Sequence, residues 1–435
     1  MSTYLICSTP AHGHVVPLLG VARHLVGQGH RVRFLTSERY GDRVRASGSE
    51  FLPLPPGADV NLDDATGQFP ARADLRGPAA LRFDILNLFL RPAREQYEAL
   101  RGAMEEVAVD AVLTEQLFIG AALLRERSRA ERPPIVVLGI FPLGVRSRDA
   151  APFGLGITPM SGALGRIRNT VLSFVADRLI FGSVHAQARA MSRQVVGSPL
   201  ARDIFDWASG AEAIVQFTVA GFEYPRSDLP ANVHFVGPLP PAASDAPVPE
   251  WWADIDGTRP VVHVTQGTVA NDDFGQLIEP AISGLAASET LVVVSTGGRP
   301  LSDLSGPIPA NVRVSEYLPY DRLLPLVDVV VTNGGYGGVQ QALGHGVPLV
   351  VAGQTEDKVE VSARVGWAGV GVNLRTNHPS ATHVARAVGS VLTDSSFRHR
   401  ARAIAAEISS APGLAGLDAV LAHVASKVPA AGDQR

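Results

Sequence analysis

The sequence predicts an α/β protein made of two doubly wound domains, each built on a parallel β-sheet, with a cleft between them. Three observations predict this class. Apolar runs of strand length alternate with stretches of helical periodicity along the 435-residue chain, which is typical of parallel sheets with crossover helices. Residues 240–252, rich in proline and alanine, divide the alternation into two series and are predicted to be a linker. Turn-forming and polar residues follow the strands of the second series, at the edge where such sheets bind ligands.

The composition excludes several other classes of protein. Hydrophobic residues make up 46% of the chain and charged residues 18%, an ordinary globular balance. The net charge is −4 and no basic run is present, so a nucleic-acid partner is not expected. The single cysteine, Cys7, rules out an intrachain disulfide and favours the cytoplasm. We expect no signal peptide, and no apolar stretch reaches the roughly 18 residues of a membrane span.

The first domain is predicted to span residues 1–239 and to begin with a strand–helix–strand unit. Residues 3–9 form an apolar run of strand length, and "PAHGH" (10–14) is predicted to be a loop. Residues 15–30 have helical periodicity that ends at two glycines, and residues 31–37 are the next predicted strand. Later strands of this domain are predicted at "FLPLP", "AVLTE" and "IVVLGIF", with the last strands between residues 217 and 239.

The second domain is predicted to span residues 253–412 and contains six further strand candidates. They are "PVVHVTQGT", "TLVVVSTGG", "NVRVSEYLP", "VDVVVTN", "VPLVVAG" and "GVGVNL". Residues 413–426 have the pattern of an amphipathic helix, so we expect the segment 413–435 to be a helix and tail that packs back on the first domain.

The segment "VVVTNGGYGGVQQALGHGVPLVV" (329–351) places four glycines in five positions between a predicted strand and a predicted helix. Such a turn presents free N–H groups and the positive end of a helix dipole, which suits a diphosphate. The dinucleotide fingerprint does not fit, because Gln340 stands where a third glycine or alanine is needed, and no Gly-Lys-Ser/Thr of a P-loop follows. Taken alone, a glycine turn is more often a tight connection than a phosphate site.

Other segments end at the same predicted sheet edge. They are "VTQGTVAN" (264–271), "STGGRP" (295–300), "EYLPYDRLLP" (316–325) and "GQTEDK" (353–358). Together they can supply phosphate donors, an aromatic platform for a base and carboxylate acceptors for sugar hydroxyls.

On these segments the chain resembles the nucleotide-sugar-dependent glycosyltransferases of the GT-B fold, which include plant small-molecule and bacterial antibiotic and macrolide glycosyltransferases. Residues 317–358 carry the aromatic-x-Pro, the glycine turn, "ALGHGVP" and the acidic pair in the family's spacing. "HGHVVPLLGVARHL" resembles the acceptor-side loop, and "EYPRSDLPANVHFVGPL" resembles the domain junction. The resemblance covers nearly the whole chain. It implies a GT-B fold: two Rossmann-like, doubly wound domains, the first binding the acceptor and the second the nucleotide sugar.

The resemblance also implies site residues. His14 corresponds to the general base, and Glu115 to the residue that orients it. The donor nucleotide and its diphosphate would be bound by Gly267, Thr268, Tyr317, Leu318, Asn333, Gly334, Gly335, Gly337, Gly338 and Gln341, and the donor sugar by Glu356, Asp357 and Lys358. The apolar segments around Phe89 and Phe141 could line an acceptor pocket, although they could equally be core.

Three residues depart from the family pattern. Asn333 stands where a histidine is usual, and asparagine can donate a hydrogen bond but carries no charge. Lys358 replaces a common glutamine, and Glu115 replaces a shorter aspartate. These changes bear on the choice of sugar and on diphosphate affinity.

We therefore expect an inverting, metal-independent glycosyltransferase of the hexosyltransferase type. It would transfer a sugar from a UDP- or TDP-sugar to a hydroxyl group of a small apolar acceptor in natural-product or antibiotic biosynthesis, with no cofactor. His14 would take the acceptor's proton, while the glycine turn, its helix dipole and Thr268 would stabilise the leaving diphosphate. A zinc site at His12 and His14 lacks further ligands at suitable spacing.

Plainer interpretations stand beside these roles. His12 and His14 could be solvated loop histidines, Glu115 a solvated strand end, and Tyr317 an edge core residue. His345 is better explained as a partner of a helix dipole than as a ligand.

Two other functions are alternatives: a non-catalytic protein that binds a sugar nucleotide or a biosynthetic enzyme, and an oxidoreductase, which would lack the dinucleotide fingerprint. The acceptor, the sugar, the base and the oligomeric state, a homodimer included, stay open.

Overall fold

A computed structural model describes residues 1–62, 65–241, 246–268 and 271–426. Within these residues the strands form two parallel sheets, of seven and six strands. Residues 242–245 of the predicted linker and residues 427–435 of the predicted tail lie outside the described part.

The first sheet has the strand order β3-β2-β1-β4-β5-β6-β7. Its strands are β1 (Thr3–Cys7), β2 (Arg31–Thr36), β3 (Glu50–Pro53), β4 (Ala111–Thr114), β5 (Ile135–Gly139), β6 (Ala213–Gln216) and β7 (Val233–Phe235). The order runs outward in both directions from the β1–β4 pair, so the loops after these two strands diverge and leave a crevice at the sheet edge.

The second sheet has the order β10-β9-β8-β11-β12-β13. Its strands are β8 (Val261–Thr265), β9 (Leu291–Ser295), β10 (Val312–Ser315), β11 (Val329–Thr332), β12 (Leu349–Val351) and β13 (Gly371–Asn373). Here the crevice lies between β8 and β11, whose ends Thr265 and Thr332 are register partners.

Helices cover both faces of each sheet. In the first half they are α1 (His12–Gly27), α2 (Gly41–Ala46), α3 (Ala65–Gln68), α4 (Gly77–Asp84), α5 (Ala93–Glu106), α6 (Gly120–Arg125), α7 (Gly162–Val175) and α8 (Gly182–Val196). In the second half they are α9 (Ile278–Leu285), α10 (Tyr320–Leu323), α11 (Tyr336–Gly344), α12 (Lys358–Ala368), α13 (Ala381–Thr393), α14 (Ser395–Ser410) and α15 (Leu414–Ser426). Short π-helical segments, Ile85–Leu90 and Ala176–Ile180, extend α4 and α7.

The inner strands of each sheet are buried on both faces, which explains their uninterrupted apolar sequences. In β1, Leu5 and Cys7 belong to one core cluster and Tyr4 and Ile6 to another, on the opposite face of the sheet. Two further clusters flank the second sheet in the same way.

Two sequence predictions are wrong in detail. Helix α1 begins at His12, so His14 lies in its first turn and not in a loop; the Ala11 carbonyl accepts hydrogen bonds from the N–H groups of His14 and Val15 at 3.0 and 2.9 Å. Strand β6 ends at Gln216, just before the predicted segment 217–239, so that segment contains only one strand, β7.

Helix α15 packs on the first domain. Leu417 and Leu421 join the core cluster of β1, and His24 Nε2 of α1 lies 2.9 Å from the Asp418 carboxylate. Among the described helices, none is by itself long and apolar enough to cross a membrane, whereas α14 and α15 together, bent by 49°, meet that test by length and composition.

Candidate active site

The carboxyl-end edges of the two sheets contact each other. Gln216, the last residue of β6, donates through Nε2 to the Tyr336 hydroxyl at 3.4 Å, at the first residue of α11. Gln340, one turn further along α11, donates to Thr218 Oγ1 at 2.7 Å. Since ligand sites of doubly wound sheets lie at this edge, the two crevices form one cleft between the domains.

His14 and Glu115 meet at the crevice of the first sheet. The His14 Nδ1 atom lies 3.3 Å from Glu115 Oε2, a contact just short of hydrogen-bond geometry. The His14 side chain is 19% exposed and that of Glu115 is fully buried. The adjacency of β1 and β4 brings the two side chains together, as the parallel-sheet argument predicts. The interpretation of Glu115 as a solvated strand end is wrong.

Backbone groups hold the Glu115 carboxylate in place. Its Oε1 accepts from the Thr9 N–H at 3.1 Å and its Oε2 from the Leu117 N–H at 2.6 Å. Burial raises the pKa of Glu115, but the His14 charge and these hydrogen bonds outweigh it, so the pKa lies below its ordinary value. The carboxylate is therefore charged at neutral pH.

The pKa of His14 is raised. Burial is the largest single influence on this pKa and lowers it, but the charge and hydrogen bonding of Glu115, with smaller contributions from Asp357 and Glu356 of the second domain, together outweigh burial. These contributions place the predicted sugar-binding carboxylates within electrostatic reach of His14, across the cleft.

Phe141 borders His14, with ring centroids 6.1 Å apart, and Phe153 packs on its other side at the same spacing. Phe141 is half-buried and packs with the core cluster of Tyr4 and Ile6. Phe89 is half-buried in the π-helical segment Ile85–Leu90 and packs with the other cluster, that of Leu5 and Cys7. The structure therefore brings Phe141 to His14, and the role of Phe89 stays a prediction.

The glycine turn between β11 and α11 serves two purposes. Gly334 has φ of +84°, and a Cβ there would lie 2.9 Å from Ser362 Oγ, so the turn itself requires a glycine. At Gly337 and Gly338 a Cβ would meet no atom of the described residues within 4 Å. They lie in the first turn of the nine-residue helix α11, where N–H groups have no intrahelical partner. A ligand can therefore approach the main chain closely there.

Tyr317 lies over the neighbouring turn. Its side chain is 56% exposed, and a Cβ on Gly298 would lie 2.0 Å from its hydroxyl oxygen. The interpretation of Tyr317 as a core residue is therefore wrong. Leu318, in contrast, is 4% exposed within the core, so only its main chain is available to a nucleotide.

The acidic segment before α12 contains a strained residue. Glu356 has φ of +54°, in the left-handed region, and its carboxylate pairs with Lys358 Nζ. Asp357 is half-buried, and burial is the largest influence on its pKa and raises it. The charges of Lys358 and His14 lower this pKa and that of Glu356 raises it, so the pKa of Asp357 lies above its ordinary value. Lys358 is thus already engaged by a carboxylate.

Comparison with known proteins agrees with this geometry. A family model described as "Erythromycin biosynthesis protein CIII-like, C-terminal domain" matches residues 281–421. The chain is 42% identical over 402 residues to 4'-demethylrebeccamycin synthase of Lentzea aerocolonigenes, covering 92% of this chain and 94% of that protein. This chain belongs to the GT-B glycosyltransferases of the EryCIII-like/UDP-glycosyltransferase family. The predicted family and enzyme class are confirmed.

Other relatives extend the match over the whole glycosyltransferase. UDP-glycosyltransferase 2 of Phaeomoniella chlamydospora is 34% identical over 429 residues, covering 94% of this chain and 93% of that protein. The glycosyltransferase of kitacinnamycin has a TM-score of 0.73 at 22% identity, covering 97% of this chain and 98% of that one. The calicheamicin glycosyltransferase CalG4 has a TM-score of 0.72 at 21% identity, covering 99% of both chains. The predicted GT-B fold is confirmed.

The remaining predicted residues of the glycosyltransferase border the second crevice. Gly267 has φ of +75° and is exposed beside the exposed Thr268. Gln341 is half-buried on α11. Asn333 donates through Nδ2 to the Gln266 carbonyl and so ties the end of β11 to the end of β8. In the described part of the chain, no group of three or more His, Cys, Asp or Glu side chains is arranged to bind a metal.

Sequence reasoning missed several residues that shape the site. Asn271 donates to the carbonyls of Gly267, at 3.1 Å, and Thr296, at 2.9 Å, and so fixes the turns after β8 and β9. An asparagine shortly after a glycine turn is a weak signal that could have indicated this. The contacts of Gln216 and Gln340 join residues of different domains, so their spacing in the sequence does not indicate that they meet.

Proposed function

We propose that this glycosyltransferase transfers a sugar from a UDP- or TDP-sugar to a hydroxyl group of a small apolar natural product, with inversion and without a metal. The observation that carries the proposal is the contact of the His14 ring with the buried Glu115 carboxylate, within electrostatic reach of Asp357 across the cleft. It combines a base, its orienting carboxylate and a sugar-binding carboxylate at one place.

His14 acts as the general base through Nε2. Its Nδ1 faces Glu115, so the proton of the neutral ring resides on Nδ1 and Nε2 is left to accept the proton of the acceptor hydroxyl. As the ring becomes positively charged, the charged Glu115 stabilises it, in the orienting role that carboxylates have in triads. The acceptor oxygen then attacks the anomeric carbon from the face opposite the diphosphate, and this attack inverts the configuration.

The second domain stabilises the leaving diphosphate. The N–H groups at the start of α11, the accessible main chain at Gly337 and Gly338, and the Thr268 hydroxyl offer hydrogen bonds and the positive end of a helix dipole. Tyr317 contacts the base, Gln341 the ribose, and Asp357 the sugar hydroxyls. The usual histidine at position 333 is an asparagine here, so the helix dipole carries more of the phosphate stabilisation.

An apolar acceptor fits the lining of the first domain. Phe141 and the 40%-exposed Phe153 form an aromatic wall beside His14. The names of two relatives, 4'-demethylrebeccamycin synthase and UDP-glycosyltransferase 2, agree with a natural-product acceptor and a nucleotide-sugar donor.

A mass-spectrometric screen tests the proposal. UDP- and TDP-sugars are combined with mixtures of aromatic natural products, and the mass gained identifies the sugar and its acceptor. Proton NMR then compares the anomeric configuration of donor and product, and EDTA is added to the reaction. We expect inversion and no loss of rate. Retention would contradict the mechanism, and loss of rate restored by Mg²⁺ or Mn²⁺ would contradict metal independence.

A further inference from the structure

The segment that follows β5 and carries Phe141 and Phe153, residues 140–161, is held by the second domain. Glu360, in the first turn of α12, is buried, and its Oε1 accepts from the N–H groups of Gly154 and Gly156, both at 2.9 Å. These glycines have φ of +93° and +60°, a backbone shape that directs both N–H groups at one oxygen. The carboxylate thus fixes the wall directly after Phe153.

Arg364, one turn further along α12, extends this contact. Its Nη1 donates to Glu360 Oε2 at 2.8 Å and its Nε to Glu223 Oε2 of the first domain at 2.9 Å. Its guanidinium also lies over the Tyr224 ring, 4.2 Å from the centroid. Glu223 in turn accepts from the Leu143 N–H at 2.8 Å. The segment 140–161 is therefore fixed at two places, at Leu143 just after Phe141 and at Gly154 and Gly156 just after Phe153.

The same helix begins at the sugar-binding carboxylate. Asp357 directly precedes α12, and its carbonyl accepts the Glu360 N–H at 2.9 Å. Asp357 and Glu360 thus belong to one helical turn, which is a rigid connection. A displacement of Asp357 would therefore be transmitted to Glu360 and to the wall beside His14.

The chemistry of the contact indicates a role in geometry. Three charged side chains, Glu223, Glu360 and Arg364, are removed from water, and buried ion pairs often contribute less stability than apolar side chains of the same size. Their contribution is to fix geometry, because the planar guanidinium donates good hydrogen bonds only to carboxylates in a narrow range of positions.

We propose that Glu360 is a positioning residue that couples donor-sugar binding at Asp357 to the acceptor wall of Phe141 and Phe153. The inference rests on the proposed function, because it takes Asp357 as the sugar contact and Phe141 as the acceptor contact. It goes beyond that function by making acceptor affinity depend on the helix that binds the donor.

The test compares Glu360→Asp with a matched control. Aspartate keeps the charge but is one methylene shorter, so it cannot reach the two glycine N–H groups and Arg364 together. Glu212→Gln is the control, because Glu212 also pairs with a buried arginine, Arg132 at 2.9 Å, and accepts a backbone N–H, from Ile135 at 2.7 Å. It precedes β6, at the sheet edge opposite the cleft.

The first measurement is kinetic, with UDP-glucose as donor and 2-naphthol as acceptor. Glu360→Asp should raise the KM for 2-naphthol about tenfold, as expected for losing one charged hydrogen bond, and leave the KM for UDP-glucose near wild type. The control should change neither. Equal changes in both KM values, or an acceptor KM no higher than that of the control, would overturn the inference.

The second measurement is hydrogen exchange of peptides covering residues 150–157, with and without UDP-glucose. In the wild type, UDP-glucose should slow exchange there; in Glu360→Asp exchange should be faster and insensitive to UDP-glucose. Unchanged exchange overturns the inference. If the wild type transfers no sugar to 2-naphthol, the proposed function fails for that acceptor, while the exchange result still decides this inference.

A folding control completes the design. If Glu360→Asp does not fold, Glu360→Gln replaces it, because glutamine keeps an oxygen for the glycines and loses only the charge facing Arg364. If neither variant folds while Glu212→Gln does, Glu360 is a structural residue and the inference is wrong.

Discussion

Replacing Glu115 by glutamine should weaken His14 as a base far more than the small change in shape suggests. At the 3.3 Å separation of Nδ1 and Oε2, the attraction between a full imidazolium charge and the carboxylate is about 5 kcal/mol at an effective dielectric constant of about 20. With the proton about half transferred in the transition state, about half of this is lost, which corresponds to a rate reduction of about 10²-fold.

The same substitution should also reduce stability. Both Glu115 oxygens accept backbone N–H groups, from Thr9 and Leu117, whereas an amide has only one acceptor oxygen. One buried donor therefore loses its partner, at a cost of about 1–3 kcal/mol in the free energy of unfolding.

The assay is a double-mutant cycle of initial rates with His14→Ala, Glu115→Gln and both, checked by thermal denaturation. His14→Ala should lower kcat by about 10²–10⁴-fold. The double variant should be little slower than His14→Ala, since Glu115 acts on the reaction only through the ring. A phenolic acceptor should recover more activity at high pH than an alcohol in His14→Ala. Fully additive losses, or an active His14→Ala enzyme with an alcohol at neutral pH, would refute the assigned roles.

Four further predictions concern the site. Gly338→Ala should weaken UDP binding, measured by calorimetry, because it places a methyl group where the phosphate approaches the main chain. It should also raise the melting temperature slightly, because alanine has a higher helix propensity than glycine. Gly344→Ala, at the far end of the same helix, is the control and should leave UDP affinity intact; equal UDP affinities in the two variants would contradict the phosphate assignment. Asp357→Ala should slow sugar transfer about 10–100-fold, because a charged hydrogen bond to the sugar is lost. Affinity for free UDP should stay near that of the wild type. Weakened UDP binding with normal sugar transfer would place Asp357 at the diphosphate. The pKa of His14 is raised, and the ring must be neutral to accept a proton, so kcat should fall with decreasing pH around a value above pH 6.5. Glu115→Gln should move this fall in kcat to lower pH. A fall at unchanged pH would contradict the pairing of Glu115 with His14. The His14–Glu115 pair should stabilise the fold most at pH values between the lowered pKa of Glu115 and the raised pKa of His14. The contribution of His14 to stability is lost as the pH rises through the folded-state pKa of His14. The contribution of Glu115 is lost as the pH falls through the folded-state pKa of Glu115.

The two sheets could be predicted because their inner strands are buried on both faces. Runs such as Val329–Thr332 therefore stand out from the sequence, whereas the start of α1 does not. Gly13 is a poor helix former and Ala11 provides no capping side chain, so local propensity argued for a loop. The helix begins there because β1 ends early and the main chain alone closes the first turn.

The site could be predicted as far as parallel topology determines it. That topology places residues after β1 and β4 together, and His14 and Glu115 do meet. The contact of Glu360 with Gly154 and Gly156 could not be predicted, because it joins residues about 200 positions apart whose proximity depends on how two domains pack. The burial of Leu318 beside the exposed Tyr317 likewise depends on the path of a loop.

The return of α15 to the first domain determines how this enzyme can be recombined with its relatives. The chain leaves the first domain after Val236 and returns to it at Gly413. The Gly413 N–H donates to the Val236 carbonyl at 2.7 Å, so the outgoing and returning segments lie next to each other. The core of the first sheet is therefore made of two pieces of sequence, one that ends near Val236 and one that begins at Gly413. A chimera made with a single cut would join α15 of one parent to the sheet of the other and leave Leu417 and Leu421 in a foreign core. Exchanging both pieces together transfers the first sheet with its own packing intact.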